Sequence, residues 1–206
     1  MSTPWPWPLH RRVSKRALDL SIAAVGLALC ALPFVLLGAW VRVSSPGPAL
    51  FGQLRVGRGG RLFRMWKFRT MIPHAQGRGL PLTAAGDPRV TPVGRFLRRS
   101  KLDELPQLVN VLLGHMSLVG PRPEVPRYVA AYGPEDQVLL AVRPGITDPA
   151  SIAFRDEEST LALYEDPERA YLEVVLPYKL ALCRAYLREQ SFFGDLTLLL
   201  RTLAVL

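Results

Sequence analysis

Residues 20–41 read LSIAAVGLALCALPFVLLGAWV, twenty-two residues without a charge. About 20 apolar residues suffice to cross a bilayer as a helix, so a single spanning anchor is the plain reading. A cleaved signal peptide fits poorly, because the run is longer than an h-region and no small-x-small site follows it. Two features favour a segment that enters one leaflet and returns. Cations flank both ends: Arg11, Arg12, Lys15 and Arg16 precede the run, and Arg42, Arg55, Arg58, Arg61, Arg64, Lys67 and Arg69 follow it with no acid among them. A spanning helix keeps its basic flank on the cytoplasmic side, a rule that two basic flanks frustrate. Pro33 also removes a backbone hydrogen bond to residue 29 and splits the run into about thirteen and eight residues, each too short to span. The expectation is a re-entrant helix bent at Pro33 with both ends in the cytoplasm, allowed where the freed carbonyl is satisfied locally.

The flanking charge is the main compositional signal. The chain has 206 residues and a net charge of +9, yet residues 1–71 hold eleven Lys/Arg against one acid, Asp19. The other two thirds are close to neutral. Such asymmetry argues against a uniformly basic nucleic-acid-binding domain and for an N-terminal element that meets an anionic surface. With 49% hydrophobic residues the chain is long and apolar enough for one domain with a real core. Cys30 and Cys183 form neither a disulfide framework nor a metal spacing, which favours a reducing compartment. Trp5 and Trp7 suit a headgroup anchor or a disordered tail equally. The expected organisation is a basic, Trp-bearing tail over 1–16, a re-entrant membrane helix over 17–43 and a membrane-associated catalytic domain over 44–206.

Beyond the breaker cluster SSPGP at 44–48, apolar and basic residues alternate on both sides of Gly57-Arg58-Gly59-Gly60, predicting a hairpin of two short strands. Residues 73–92 read as a mobile loop. Residues 94–114 are helical in pattern, and Pro106 predicts that the main helix begins near Asp103. Two Pro/Gly loops, each with an arginine, follow at GHMSLVGPRPEVPRY and VRPGITDPAS. The region from about 160 to 206 reads as helices, the last lying against the membrane or the core. The fold class is α+β, mostly helical.

No Walker loop, histidine ligand set or G-x-S-x-G elbow occurs. What remains is an acidic pair among cations, Arg98-Arg99-Ser100-Lys101-Leu102-Asp103-Glu104. One reading is local: Ser100-x-x-Asp103 as a capping box, or Asp103 as an N-cap. The other is chemical. An aspartate held ionised by neighbouring cations can attack phosphorus, and the adjacent glutamate can hold Mg²⁺ beside phosphate oxygens. Arg122, between two prolines, and Arg143, before Pro144-Gly145, suit either phosphate binding or a structural ion pair. Lys67 and Arg69 suit either phosphates or a solvated strand face.

In this order, KRALDL, the apolar segment with its proline, SSPGPALFGQLRVG, WKFRTM, LDELPQLVNVLLGHMSLVGPRP and VRPGIT, the chain resembles the bacterial sugar transferases, the small monotopic polyprenyl-phosphate hexose-1-phosphate transferases. The resemblance spans roughly residues 14–200. It implies a re-entrant helix, an active site on the cytoplasmic face of the bacterial inner membrane, and transfer of a sugar phosphate from a nucleotide diphosphate sugar, UDP-linked by family expectation, to polyprenyl (undecaprenyl) phosphate. By the same resemblance Asp103 attacks the β-phosphate to give a covalent phosphosugar, and Glu104 holds Mg²⁺. Arg98, Arg122 and Arg143 bind phosphates, with Lys67 and Arg69 as the family's basic pair. No nucleic acid is expected as a partner, and with no further spanning helix ahead of it the chain reads as the minimal form. Two departures stand out. Leu32 replaces the family's usual serine before Pro33, and Asp148-Pro149-Ala150-Ser151 with Phe154–Glu158 replaces the commoner continuation after VRPGIT, pointing to a part in a sugar or nucleotide pocket.

Overall fold

The computed structural model describes residues 9–73, 75, 83 and 86–205. Trp5, Trp7 and half of the 73–92 segment lie outside these residues. The chain opens with α1 (Leu9–Leu29) and α2 (Ala31–Ser44), which meet at an angle of 64°. Among the described residues no single helix is long and apolar enough to cross a membrane, although this bent pair is by length and composition.

The bend falls at Cys30 rather than at Pro33. Cys30 leaves helical geometry (φ −90°, ψ 6°), and Pro33 sits in the first turn of α2. A proline ring collides with the carbonyl four residues earlier, here that of Leu29, so the preceding helix must end by that residue. In a first turn the missing N–H costs nothing, since that donor has no partner in the helix anyway. The break therefore divides the uncharged run into ten and eleven residues rather than thirteen and eight, within helices of 21 and 14 residues.

One face of this pair is docked. Asp19, almost fully buried, accepts hydrogen bonds from the Leu118 N–H (3.0 Å) and the Ser117 hydroxyl (2.8 Å). Lys15 pairs with Asp195 at 2.6 Å. In α2, Val41 enters a small core with Phe68, Val93 and Leu97, and Phe34 stacks on Phe68 at 4.9 Å. The opposite face is apolar and exposed, including Val25, Leu29, Leu32, Val35, Leu36 and Val43.

The expected hairpin forms from β1 (Leu50–Val56) and β2 (Leu62–Phe68), antiparallel, with Leu50 opposite Phe68. Gly59 and Gly60 supply the positive φ its turn needs. Residues 92–112 are not one helix. They form α3 (Pro92–Arg99), a single 3₁₀ turn over Leu102–Glu104, and α4 (Gln107–Leu112), with Pro106 as the N-cap of α4.

The two Pro/Gly loops contain strands that no sequence pattern separates. β3 (Ser117–Val119) and β4 (Gly145–Thr147) pair in parallel, bringing both arginine-bearing loops side by side. A Cβ on Gly145 would overlap the backbone of Gly120, which explains glycine at this crossing. Short helices α5 (Pro126–Val129), α6 (Pro149–Ala153), α7 (Glu157–Leu161) and α8 (Pro167–Ala170) follow. A π-turn over Tyr171–Val175 leads into α9 (Leu176–Glu189), and α10 (Phe192–Val205) ends the described chain. Leu198 and Leu199 of α10 pack on the main core while Leu200 and Leu203 are exposed. The architecture is thus α+β and mostly helical.

Candidate active site

The acid pair sits where α3 ends. Lys101 adopts a left-handed conformation (φ 55°), the one described non-glycine residue with positive φ, and this reverses the chain into the 3₁₀ turn. Such a conformation in a residue with a Cβ costs about 1 kcal/mol and persists where its surroundings impose it. Neither capping reading holds: Ser100 Oγ donates to the Phe96 and Leu97 carbonyls, at 2.9 and 3.2 Å, and the 3₁₀ turn has no side-chain cap.

Asp103 is buried, with 5% of its surface exposed, and neither carboxylate oxygen accepts a hydrogen bond from a described residue. Burial pushes its pKa up to about 6, with Lys67 opposing and the charge of Glu104 adding. Glu104 is the reverse case. Burial alone would raise its carboxyl, but Arg122 and Lys67 together hold it well below the ordinary glutamate range. Its Oε1 accepts from Lys67 Nζ at 3.0 Å and from Arg122 Nη2, whereas Oε2 has no hydrogen bond among the described residues.

Lys67 reaches Glu104 because it follows Phe63 and Met65 on the inward face of β2. It is therefore not on a solvated strand face. The registration between β2 and the acid pair is set by Asn110 on α4, fully buried, whose Oδ1 accepts from Trp66 N (2.9 Å) and whose Nδ2 donates to Arg64 O (2.8 Å). The side-chain amide occupies the place of a strand partner on both sides of Met65. Asn110→Ala strands one donor and one acceptor, each worth about 1–3 kcal/mol when buried. We expect a loss of about 2–4 kcal/mol by urea unfolding, with a fall in turnover as Lys67 loses its register.

The other arginines divide. Arg122 belongs to the pair: Asp148 accepts from its backbone N–H at 2.8 Å, and its Nη1 donates to Ile146 O at 2.7 Å. Arg98 lies close enough to act on Asp103 electrostatically, held by Thr70 Oγ1 (2.9 Å) and Glu158 (2.6 Å). Gly94, one turn earlier, packs on the Thr70 backbone so closely that a Cβ would collide. Arg69 is engaged elsewhere, donating to the carbonyls of Val41, Ser45 and Pro46 where α2 leads into the hairpin. Arg143 donates to Gly114 O at 3.0 Å, beyond the far end of α4. Neither Arg69 nor Arg143 is brought to the acid pair.

The 148–158 departure lies beside the site. Glu158 pairs with Arg98, Lys101 Nζ donates to Arg155 O at 3.2 Å, and Glu157 pairs with Lys179 at 2.8 Å. Lys179 also reaches Glu124, which accepts from Tyr171 OH at 2.5 Å and pairs with Arg55 at 3.3 Å. Sequence reasoning points to the 148–158 segment but misses this second network, along with Thr70 and Asn110. Lys179 alone leaves a signal, as a lone charge inside the apolar run LPYKLALC.

The residues fit Mg²⁺, which takes one or two carboxylates and completes its shell with phosphate oxygens and water. Asp103 and Glu104 offer such a pair with unengaged oxygens, and among the described residues no group of three or more potential ligands forms a closed cage.

The chain is similar to known proteins over most of its length. The chain is 36% identical over 204 residues to the galactosyl transferase CpsE of Streptococcus agalactiae, covering 94% of this chain and 42% of that protein. It is 41% identical over 193 residues to a UDP-glucose:undecaprenyl-phosphate glucose-1-phosphate transferase of Caulobacter vibrioides, covering 91% and 67%. A protein of the same name from Escherichia coli is 38% identical over 199 residues, covering 93% and 39%. The chain thus spans less than half the length of two of these three relatives. The family described as bacterial sugar transferase matches residues 10–206, and the chain belongs to it.

Proposed function

We propose that this chain transfers a hexose-1-phosphate from a UDP-sugar to undecaprenyl phosphate, giving a polyprenyl-diphosphate-linked sugar and UMP, as the first membrane step of surface glycan assembly. The observation that carries this reading is Asp103, a buried carboxylate with no hydrogen bond from a described residue, set among Lys67, Arg98 and Lys101. A capping or structural aspartate would have its oxygens engaged.

In the proposed reaction an Asp103 oxygen attacks the β-phosphorus of the donor. The bond from that phosphorus to the bridging oxygen breaks, and UMP leaves with the electron pair. An oxygen of undecaprenyl phosphate then attacks the same phosphorus and restores the carboxylate. Lys67 and Arg122, already converged on Glu104, offset the charge that gathers as two anions meet. Arg98 is placed to hold a donor phosphate in exchange for Glu158. Glu104 and Asp103 would hold Mg²⁺, which when bound would supply Lewis-acid neutralisation of the diphosphate.

The Caulobacter vibrioides and Escherichia coli relatives are named for undecaprenyl phosphate as acceptor, which supports a membrane location. We place the catalytic part, 44–206, on the cytoplasmic face of the inner membrane, with the apolar face of α1 and α2 re-entrant over 17–43 behind the basic 1–16 tail. The 64° bend and the exposed apolar side chains on both halves support this. Single cysteines at Ser14 and Ser45, in a background with both Cys30 and Cys183 replaced by alanine, should both react with an impermeant thiol reagent only in inside-out membranes. Opposite-side labelling would replace re-entry by a span.

The function is tested by incubating the purified protein with UDP-sugars of different hexoses and following UMP release. Continuous release that requires undecaprenyl phosphate, together with a single equivalent of UMP for each labelled sugar phosphate trapped on Asp103 in its absence, is the expected result. No release from any donor would leave a non-catalytic membrane-surface protein.

A further inference from the structure

Gly114 lies past the C-terminal end of α4, at the opposite end of that helix from the acid pair, in a left-handed conformation (φ 82°). Two guanidinium groups from distant segments converge on it. Arg143 Nε donates to its carbonyl at 3.0 Å. Arg16 Nη2 donates to Leu112 O at 3.3 Å and lies 3.6 Å from where a Cβ on Gly114 would stand. A third, Arg58, sits exposed on the hairpin turn and bears on Arg143.

The balance of charge here is lopsided. The Arg143 guanidinium is pulled below its ordinary value by burial and then by Arg58 and Arg16, with Asp19 alone among its principal neighbours acting the other way. Asp19 is already committed to Ser117 and Leu118. Arg16 Nη1 is buried without a hydrogen-bond partner, and the terminal nitrogens of Arg143 donate to no described residue. An unpaired buried donor costs about 1–3 kcal/mol, a cost that falls on Arg16 Nη1 and that an anion reaching it would remove. Planar forks of this kind match phosphate oxygens two at a time.

We propose that Arg16, Arg58 and Arg143 form a second phosphate-binding site, separate from the acid pair, which takes the headgroup phosphate of an anionic glycerophospholipid. The lipid source follows from position. Arg16 lies on α1 just ahead of the uncharged run, and Leu112 and Leu113 beside Gly114 are exposed. The site therefore borders the apolar surface of the protein. Arg143, which the family resemblance assigns to substrate phosphates, is reassigned to this site. The inference rests on the membrane reading of α1 and α2 given above.

The test uses the purified full chain and vesicles of phosphatidylcholine with and without phosphatidylglycerol, free of polyprenyl phosphate. Arg58→Gln, on an exposed turn, and Arg143→Lys, which keeps the charge but loses the fork, are compared with the wild type after circular dichroism shows each folded. The gain in affinity from phosphatidylglycerol should fall about five-fold in Arg58→Gln and by a similar factor in Arg143→Lys, with binding to pure phosphatidylcholine unchanged. An undiminished gain in both variants overturns the site. Thermal protection by inorganic phosphate, lost in the variants but without any phosphatidylglycerol preference, overturns the lipid assignment. Failure of the wild type to bind either vesicle would instead overturn the membrane reading itself, and this inference with it.

Discussion

Asp103→Asn is expected to abolish turnover and, at neutral pH, to make the protein more stable. The first effect follows from its role: an amide cannot form the phosphosugar bond, and loss of an attacking group costs at least about 10³-fold in rate. The second follows from burial. The Asp103 pKa is raised from 3.8 to about 6, so the folded state binds this proton more tightly than the unfolded chain. Protonation therefore favours folding, and that contribution is lost as pH rises from about 4 through 6. Above that window the ionised carboxylate costs the fold ~3 kcal/mol, since each tenfold change in proton affinity is worth ~1.4 kcal/mol, and the variant escapes this cost. Urea unfolding near pH ~8 should show Asp103→Asn ahead of the wild type, with the gap closing toward pH ~5. Activity of the wild type should decline about tenfold per pH unit below ~6 as the nucleophile is protonated. A variant that is both active and less stable at pH ~8 would return Asp103 to a structural role.

That result would also explain what the sequence can and cannot reveal. The hairpin is legible because alternation around Gly57–Gly60 is a local pattern. The face that Lys67 takes is not, since apolar residues lie on both faces of β2 and only the fold turns that of Phe63 and Met65 toward the acid pair. The acid pair is legible as a constellation, but not its setting. A helix starting near Asp103 would have placed the carboxylate at a cap, whereas the left-handed Lys101 makes a turn that buries it unbonded. Residue type does not announce a positive φ at lysine, since the surrounding packing imposes it. The parallel pair of β3 and β4 is invisible for a related reason. Each strand has three residues, and their pairing depends on Gly120 and Gly145 meeting across the fold. Pro33 is legible as a breaker, but the break itself lies three residues earlier, because the clash falls on the carbonyl four positions back. Arg69 and Arg143 show the limit of motif transfer: their type suits phosphate, yet their partners here are backbone carbonyls. The Glu124–Lys179–Glu157 network joins segments that no short window contains.

Glu104→Gln should be the most damaging neutral substitution to the fold as well as to the chemistry, and the two losses can be separated. Glu104 Oε1 is shared by Lys67 and Arg122, both largely enclosed. Replacing the carboxylate by an amide leaves two buried cations facing a neutral group, and breaking such a pair from one side costs about 3–5 kcal/mol. Glu104 is held ionised well below its ordinary range, so its contribution is present above about the unfolded value of 4.5 and is lost only as pH falls beneath that. Adding Lys67→Met to Glu104→Gln removes one of the stranded cations and should recover part of the stability, measured by urea unfolding near neutral pH. It should recover no activity, because the same pair that stabilises the fold also offsets phosphate charge and offers the metal an oxygen. Glu104→Asp keeps the charge on a shorter arm, so it should preserve most of the stability yet raise the Mg²⁺ concentration needed for half-maximal rate. If Glu104→Gln keeps an unchanged Mg²⁺ requirement while losing only stability, Glu104 is an ion-pair residue alone. The metal would then rest on Asp103 and the substrate phosphates.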